Sequence, residues 1–259
     1  MTGAISALGH LAWCLRVRTS GDSLEIHSGL VVGAHPDDCE FRCGGSVAAW
    51  TAASAVVSLL VVTDGAKGSH DPLLSDAELR DMRRAEQHEA ARVLGISEVR
   101  FLDAPDGGVE RSDALVLELV RIIRATRPEV VISHDPWLLY ELHPDHRAVG
   151  WIACDAIYRA KEPRFDPELA AAGLPAWRPR ELWLFNAQEP NHVEDVSEYF
   201  ETKLRAIFCH RSQYETSMGI TAGDAESARR FEASLRAGDA EVGQPCGYRY
   251  GESFRRLVV

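Results

Sequence analysis

Residues 29–41 read GLVVGAHPDDCEF. An apolar, β-branched run suited to a buried strand ends there in His35, Pro36, Asp37 and Asp38, an imidazole and two carboxylates at the point where the strand should stop. EVVISHDP at 129–136 repeats the form and leads into ELHPDHRAVG at 141–150, which carries His143, Asp145 and His146. Further apolar runs are AVVSLLVVTDG (55–65), VRFLDAP (99–105) and ELWLFN (181–186). Runs that are continuous instead of alternating mark strands buried on both faces, as in a parallel sheet.

Helical patterns separate the runs. SDAELRDMRRAEQHEAARVLG (75–95) sets Ser75 and Glu78 at capping-box spacing and stops at Gly95, and SDALVLELVRIIRATRP (112–128) opens at Ser112 and ends before Pro128. The alternation predicts a doubly wound, Rossmann-like α/β fold, a mostly parallel sheet of order 3-2-1-4-5 with helices on both faces. In that order the first and fourth strands are neighbours, and ligands bind beyond their carboxyl ends. HPDD and HPDH should therefore face each other. One domain is expected over 1–259, with the loop-rich stretch KEPRFDPELAAAGLPAWRPR (161–180) extending it. The tail from Asn191 shows one helix pattern, SEYFETKLRAIFCHRSQY (197–214), and an irregular end, CGYRYGESFRRLVV (246–259).

Composition narrows the function. With 259 residues, 46% of them hydrophobic, the chain can bury a large core, and a net charge of -11 argues against a nucleic-acid partner. The opening MTGAISALGHLAWCL lacks a basic start, and no run reaches membrane-spanning length, which points to a cytoplasmic protein with no membrane partner. Six scattered cysteines, Cys14 among them, do not form a disulfide framework; Cys39 and Cys43, at C-x3-C spacing, read as small buried hydrophobes.

His35, Asp38 and His146 are suited to holding one Zn²⁺ per chain, because two imidazoles and one carboxylate bind the ion and leave a position open for water. Asp37, turned away from its neighbour, suits a general base. His143, one helical turn before His146, is placed to donate as imidazolium to an oxyanion, with Asp145 orienting it and favouring its charge. Together these groups fit amide hydrolysis. Taken alone, HPDD could be an Asx-type turn and HPDH a helix cap; both together at strand ends favour a site. His134 and Asp135 read as wall residues, and His10, His27, His70, His88, His192 and His210 as surface or capping groups. Trp137 and Tyr140 read either as a sugar platform or as core.

AHPDD and HPDH at this separation resemble the signature pair of the zinc-dependent de-N-acetylases of the LmbE-like, PIG-L type, and the likeness spans nearly the whole chain. DPWLLYELHPDHRAVG, KLRAIFCHRSQY and GYRYGESFR are most similar to the N,N'-diacetylchitobiose deacetylases within that family. Cys39 stands where many members have glutamate. The resemblance implies the same ligands, base and second catalytic histidine, and it implies that Arg83 and Asp106 hold sugar hydroxyls. It further implies a homo-oligomer and an amino-sugar substrate, with acetate released from an N-acetylglucosamine unit of a small glycoside. The alternatives are an amidase or deacetylase of a thiol-sugar conjugate or antibiotic glycoside and, outside enzymes, a metal-containing sugar-binding protein.

Overall fold

A computed structural model describes residues 18–19 and 25–259; His10 and Cys14 lie outside the described residues. The strands are β1 (Arg18–Thr19), β2 (Ser28–Gly33), β3 (Val56–Thr63), β4 (Glu98–Ala104), β5 (Val130–His134), β6 (Glu181–Phe185), β7 (His192–Asp195) and β8 (Gly251–Val258). The helices are α1 (Asp38–Ala52), α2 (Asp76–Leu94), α3 (Asp113–Thr126), α4 (Pro144–Lys161), α5 (Pro167–Ala171), α6 (Phe200–Ile207) and α7 (Ala225–Gly243).

One eight-stranded sheet runs β1-β7-β8-β6-β5-β2-β3-β4. Its five parallel strands β4-β3-β2-β5-β6 carry the expected 3-2-1-4-5 order, and β2 pairs with β5 through Leu30↔Val131 and Val32↔Ser133. Alternate residues of each strand enter opposite cores. Val31, Leu59 and Ile132 pack with Trp50, Leu94 and Trp183 on one face, whereas Leu30, Leu60 and Val131 pack with Leu119, Ile123 and Ile152 on the other. Both faces need apolar side chains, which accounts for the unbroken apolar runs.

Local chemistry sets the helix starts. The Ser75 side chain and the Glu78 backbone and carboxylate form the full capping box, and Ser112 caps α3 by accepting from Leu115 N–H. Gly95 ends α2 at φ 74°, the left-handed region where glycine pays no Cβ penalty.

Two expectations for the tail need correction. The end called irregular from sequence is strand β8, antiparallel to both β6 and β7, and Ala225–Gly243 is a second long helix in the tail. Furthermore, α1 breaks at Cys43 (φ -146°), and the half that restarts there is capped by Glu252 of β8, which accepts from Gly45 N–H at 2.9 Å and Ser46 N–H at 2.8 Å. No helix among the described residues is long and apolar enough to cross a membrane.

Candidate active site

The β2–α1 turn and the β5–α4 connection meet at the carboxyl ends of their adjacent strands. There they wall a cavity of 470 Å³ together with Lys67, Arg83, Asp106 and Gln213. A cavity of this size falls within the usual range for small ligands.

Asp38 opens α1, and its Oδ2 folds back to accept from Ala34 N–H and His35 N–H, both at 2.8 Å. His134 Nε2 lies 3.1 Å from the same oxygen. Burial opposes ionisation of Asp38, but the charge and hydrogen bond of His134 and the charges of His35 and His146 hold its carboxyl well below the usual range. Oδ1 lies 3.6 Å from His146 Nε2.

His35 and His146 share one arrangement. His35 Nε2 lies 3.0 Å from Asp145 Oδ2 and 3.2 Å from Asp106 Oδ1, which leaves Nδ1 toward Asp38 Oδ2 at 3.7 Å. His146 Nδ1 lies 3.5 Å from Glu141 Oε2, which leaves Nε2 toward Asp38. The separations of 3.6 and 3.7 Å exceed hydrogen-bond length. They end on different oxygens of Asp38, and the groups close enough to share an ion include His35, His143 and His146, and Asp38, His134 and His146. His35 and His146 each turn their other ring nitrogen toward a carboxylate, the outer-sphere pattern of metal-ligating histidine. The donor set fits a metal ion.

Burial lowers the proton affinity of His35, but its hydrogen bonds to the carboxylates of Asp106 and Asp145 and the charge of Asp38 outweigh it and raise its pKa to about 10. In the metal-free chain this site therefore carries an extra proton.

Asp37 adopts φ 105°, a region costly for any residue with a Cβ, and its N–H donates to Gln87 Oε1 at 3.0 Å. Burial raises its pKa, against the charge of Arg83, whose Nη2 lies 3.4 Å away. A carboxylate with raised proton affinity, beside a polar cavity, is suited to accepting a proton.

His143 is the N-cap residue of α4, and its ring stacks on His146 with centroids 4.4 Å apart. Asp145 makes no hydrogen bond to His143, although its charge favours the imidazolium: buried at the start of α4, it accepts from Gly107 N–H and Val109 N–H at 2.7 and 2.9 Å and lies 3.0 Å from His35 Nε2. Burial and the charges of His35 and His146 lower the pKa of His143, against the charges of Asp145 and Asp106, which raise it. Burial opposes the charge on Asp145, yet the hydrogen bonds from His35, Val109 and Gly107 hold its pKa at about 2.

Arg83 and Asp106, which the resemblance assigns to sugar hydroxyls, both line the cavity. Arg83 donates to Pro36 O at 2.7 Å and Gly65 O at 2.9 Å, which locks the turn around Asp37, and Asp106 engages His35 and accepts from Lys67 N–H at 3.0 Å. His134, read as wall, touches Asp38 and stacks on His146 at 4.3 Å. His192 and His210 are buried, not surface groups. Tyr140 is exposed and so not core, while Trp137 is half exposed and meets Trp151 edge-on. Sequence reasoning passed over Glu141, Lys67 and Gln213; the signal for Glu141 was a lone acid among the apolar residues of WLLYEL.

Residues 30–157 match the family model PIG-L, GlcNAc-PI de-N-acetylase. The chain is 32% identical over 231 residues to the diacetylchitobiose deacetylase of Thermococcus kodakarensis, covering 89% of this chain and 83% of that relative. The chain belongs to the PIG-L family. The matched span contains both halves of the site, from β2 to α4. Another member, a probable N-acetyl-alpha-D-glucosaminyl L-malate deacetylase 2 of Bacillus cereus, is 30% identical over 74% of this chain and 86% of its own length. The N,N'-diacetylchitobiose deacetylase of Pyrococcus horikoshii, solved with its inhibitor MPG, superposes with a TM-score of 0.82 at 32% identity, covering 92% of this chain and 85% of that one.

Proposed function

We propose that this PIG-L protein is a zinc-dependent hydrolase that removes the N-acetyl group from an N-acetylglucosamine unit of a small glycoside in the cytoplasm, with His35, Asp38 and His146 holding one Zn²⁺. The observation that carries the reading is the crowding of His35, Asp38, His143 and His146 along one cavity, in overlapping groups each able to hold a metal ion, with Asp37, whose proton affinity burial raises, beside them. Support for the substrate class comes from the activities named for relatives at 30% identity or more, deacetylases of diacetylchitobiose and of an N-acetylglucosaminyl L-malate, whereas a relative at 26% identity is a 4-oxalmesaconate hydratase.

Zinc supplies Lewis acidity, which acidifies a water from a pKa of about 15.7 toward about 7 and polarises a carbonyl oxygen. Asp37, fixed by Arg83 and Gln87, takes the proton of the attacking water. His143, facing the cavity, donates a hydrogen bond as charge builds on the acetyl oxygen, an interaction strongest in the transition state. Asp145 and Asp106 hold His35 in place. The proton on Asp37 then leaves with the amine, and acetate and the free amino sugar are the products.

The test is incubation with N,N'-diacetylchitobiose, N-acetylglucosamine and N-acetylgalactosamine, following free amine and acetate together. Equal release of the two from a glucosamine-type substrate, abolished by a chelator and restored by Zn²⁺, is expected. A zinc-loaded protein that binds these sugars and releases neither product would establish the sugar-binding alternative.

A further inference from the structure

The loop from Pro136 to Leu142 joins β5 to α4, and its burial pattern is inverted. Leu139, Tyr140 and Leu142 are 59%, 85% and 85% exposed, whereas the Glu141 side chain among them is only 17% exposed. Tyr140 takes φ 65°, a left-handed conformation uncommon for a bulky residue and costing of order 1–3 kcal/mol. A loop folding for burial alone would turn its leucines and tyrosine inward and its carboxylate to water. Instead, strain and apolar exposure are spent on bringing one acid inside.

That acid touches both histidines of HPDH. Oε1 accepts from His143 N–H at 2.9 Å, and Oε2 lies 3.5 Å from His146 Nδ1. His146 Nδ1 is buried and makes no hydrogen bond of standard geometry among the described residues, so the Glu141 carboxylate at 3.5 Å is the charge set against it. A buried ring N–H needs an acceptor, and the nitrogen that has one fixes which tautomer is present.

We propose that Glu141 is a positioning residue: its carboxylate holds the Nδ1–H tautomer of His146, keeps the Nε2 lone pair turned toward Asp38, and so sets how tightly the site holds its cation. The inference rests on the assignment of His146 as a metal ligand. Glu141 itself touches neither substrate nor ion.

The experiment measures Zn²⁺ affinity of the full chain by competition with a chromophoric chelator, with the melting temperature of the metal-free protein recorded alongside. Glu141→Ala should bind Zn²⁺ about 10–100-fold more weakly than wild type, the usual effect of losing an outer-sphere partner. Its metal-free melting temperature should stay within a few degrees of wild type. Glu141→Gln, whose amide oxygen still accepts from Nδ1–H, should recover most of the affinity. Wild-type affinity in Glu141→Ala overturns the proposal, and so does a Gln variant as weak as the Ala variant. His146→Ala separates the two levels. If it loses zinc while Glu141→Ala keeps it, only the positioning role fails; if it keeps zinc, the ligand assignment fails.

Discussion

At Asp37 and Asp38, two adjacent and chemically identical side chains are driven to opposite behaviour. Asp38 accepts two backbone N–H groups and faces three imidazoles, which favour its charged form, while Asp37 lies buried with one arginine at 3.4 Å and has its proton affinity raised. Asp37→Asn should therefore keep zinc yet lose about 10²–10⁴ of kcat, the usual contribution of a general base. Zinc content and turnover of the purified variant check this; loss of the metal instead would mean that the two aspartates have exchanged roles. A second consequence concerns His35. Its pKa of about 10 in the metal-free chain means that Nδ1 is protonated at pH 7, so zinc binding should expel about one proton there. Calorimetry in buffers of different ionisation enthalpy reads that number, and a value of zero at pH 7 would show that His35 Nδ1 is not a ligand. The composition of this site was legible in HPDD and HPDH, because residue types and strand ends are local. What escaped was pairing: Asp145 is two residues from His143 in sequence, yet its carboxylate binds His35, 110 positions away.

Among the elements, α4 is the one whose placement decides the site, since it carries Asp145 and His146 and begins at His143. It approaches the end of β5 so closely that a Cβ on Gly150 would sit 2.7 Å from His134 O and 3.0 Å from Pro136. Backbone cannot yield as a flexible side chain would. Gly150→Ala should thus push α4 outward, destabilise the fold by about 1–3 kcal/mol as overpacking does, and weaken zinc binding through the shift of His146. Unfolding by denaturant and the chelator competition check the two effects; an unchanged affinity would show that α4 absorbs the methyl without moving its first turn. The helices α2 and α3 and the five parallel strands were readable because caps and apolar runs are short-range signals. Strand β8 was not: its inward residues alternate with Ser253, Arg255 and polar partners, and its pairing with β6 and β7 is a tertiary fact. Helix α7 was passed over because its inward stripe is thin, Ala228, Phe231, Leu235 and Ala240 set among charged residues and only partly buried.

Over the whole molecule, the segments that the sequence left vague are tied to the catalytic half by one buried charge cluster. Lys203 of α6 lies 2.7 Å from Asp239 of α7 and 2.9 Å from Glu252 of β8, and Glu252 in turn caps the restarted half of α1, the helix that begins at Asp38. Two carboxylates share one ammonium, so one negative charge is in excess. Burial and the charge of Glu252 raise the pKa of Asp239 to about 6, although Lys203 opposes them. A carboxyl with a folded pKa above its unfolded value of about 3.9 binds its proton more tightly in the folded chain. Stability from this group is full below about pH 4, where both states are protonated. It falls as pH rises toward 6, because unfolding there releases a proton that the folded state holds. Two pKa units correspond to about 3 kcal/mol. The prediction is read as a difference, since many other groups titrate in this range. Relative to Asp239→Asn, which cannot ionise, wild type should lose up to about 3 kcal/mol of unfolding free energy between pH 4 and pH 7, measured by urea titration at each pH. A difference that stays flat or grows in favour of wild type would mean that the attraction of Lys203 outweighs burial and Glu252, and that Asp239 is already ionised near pH 4.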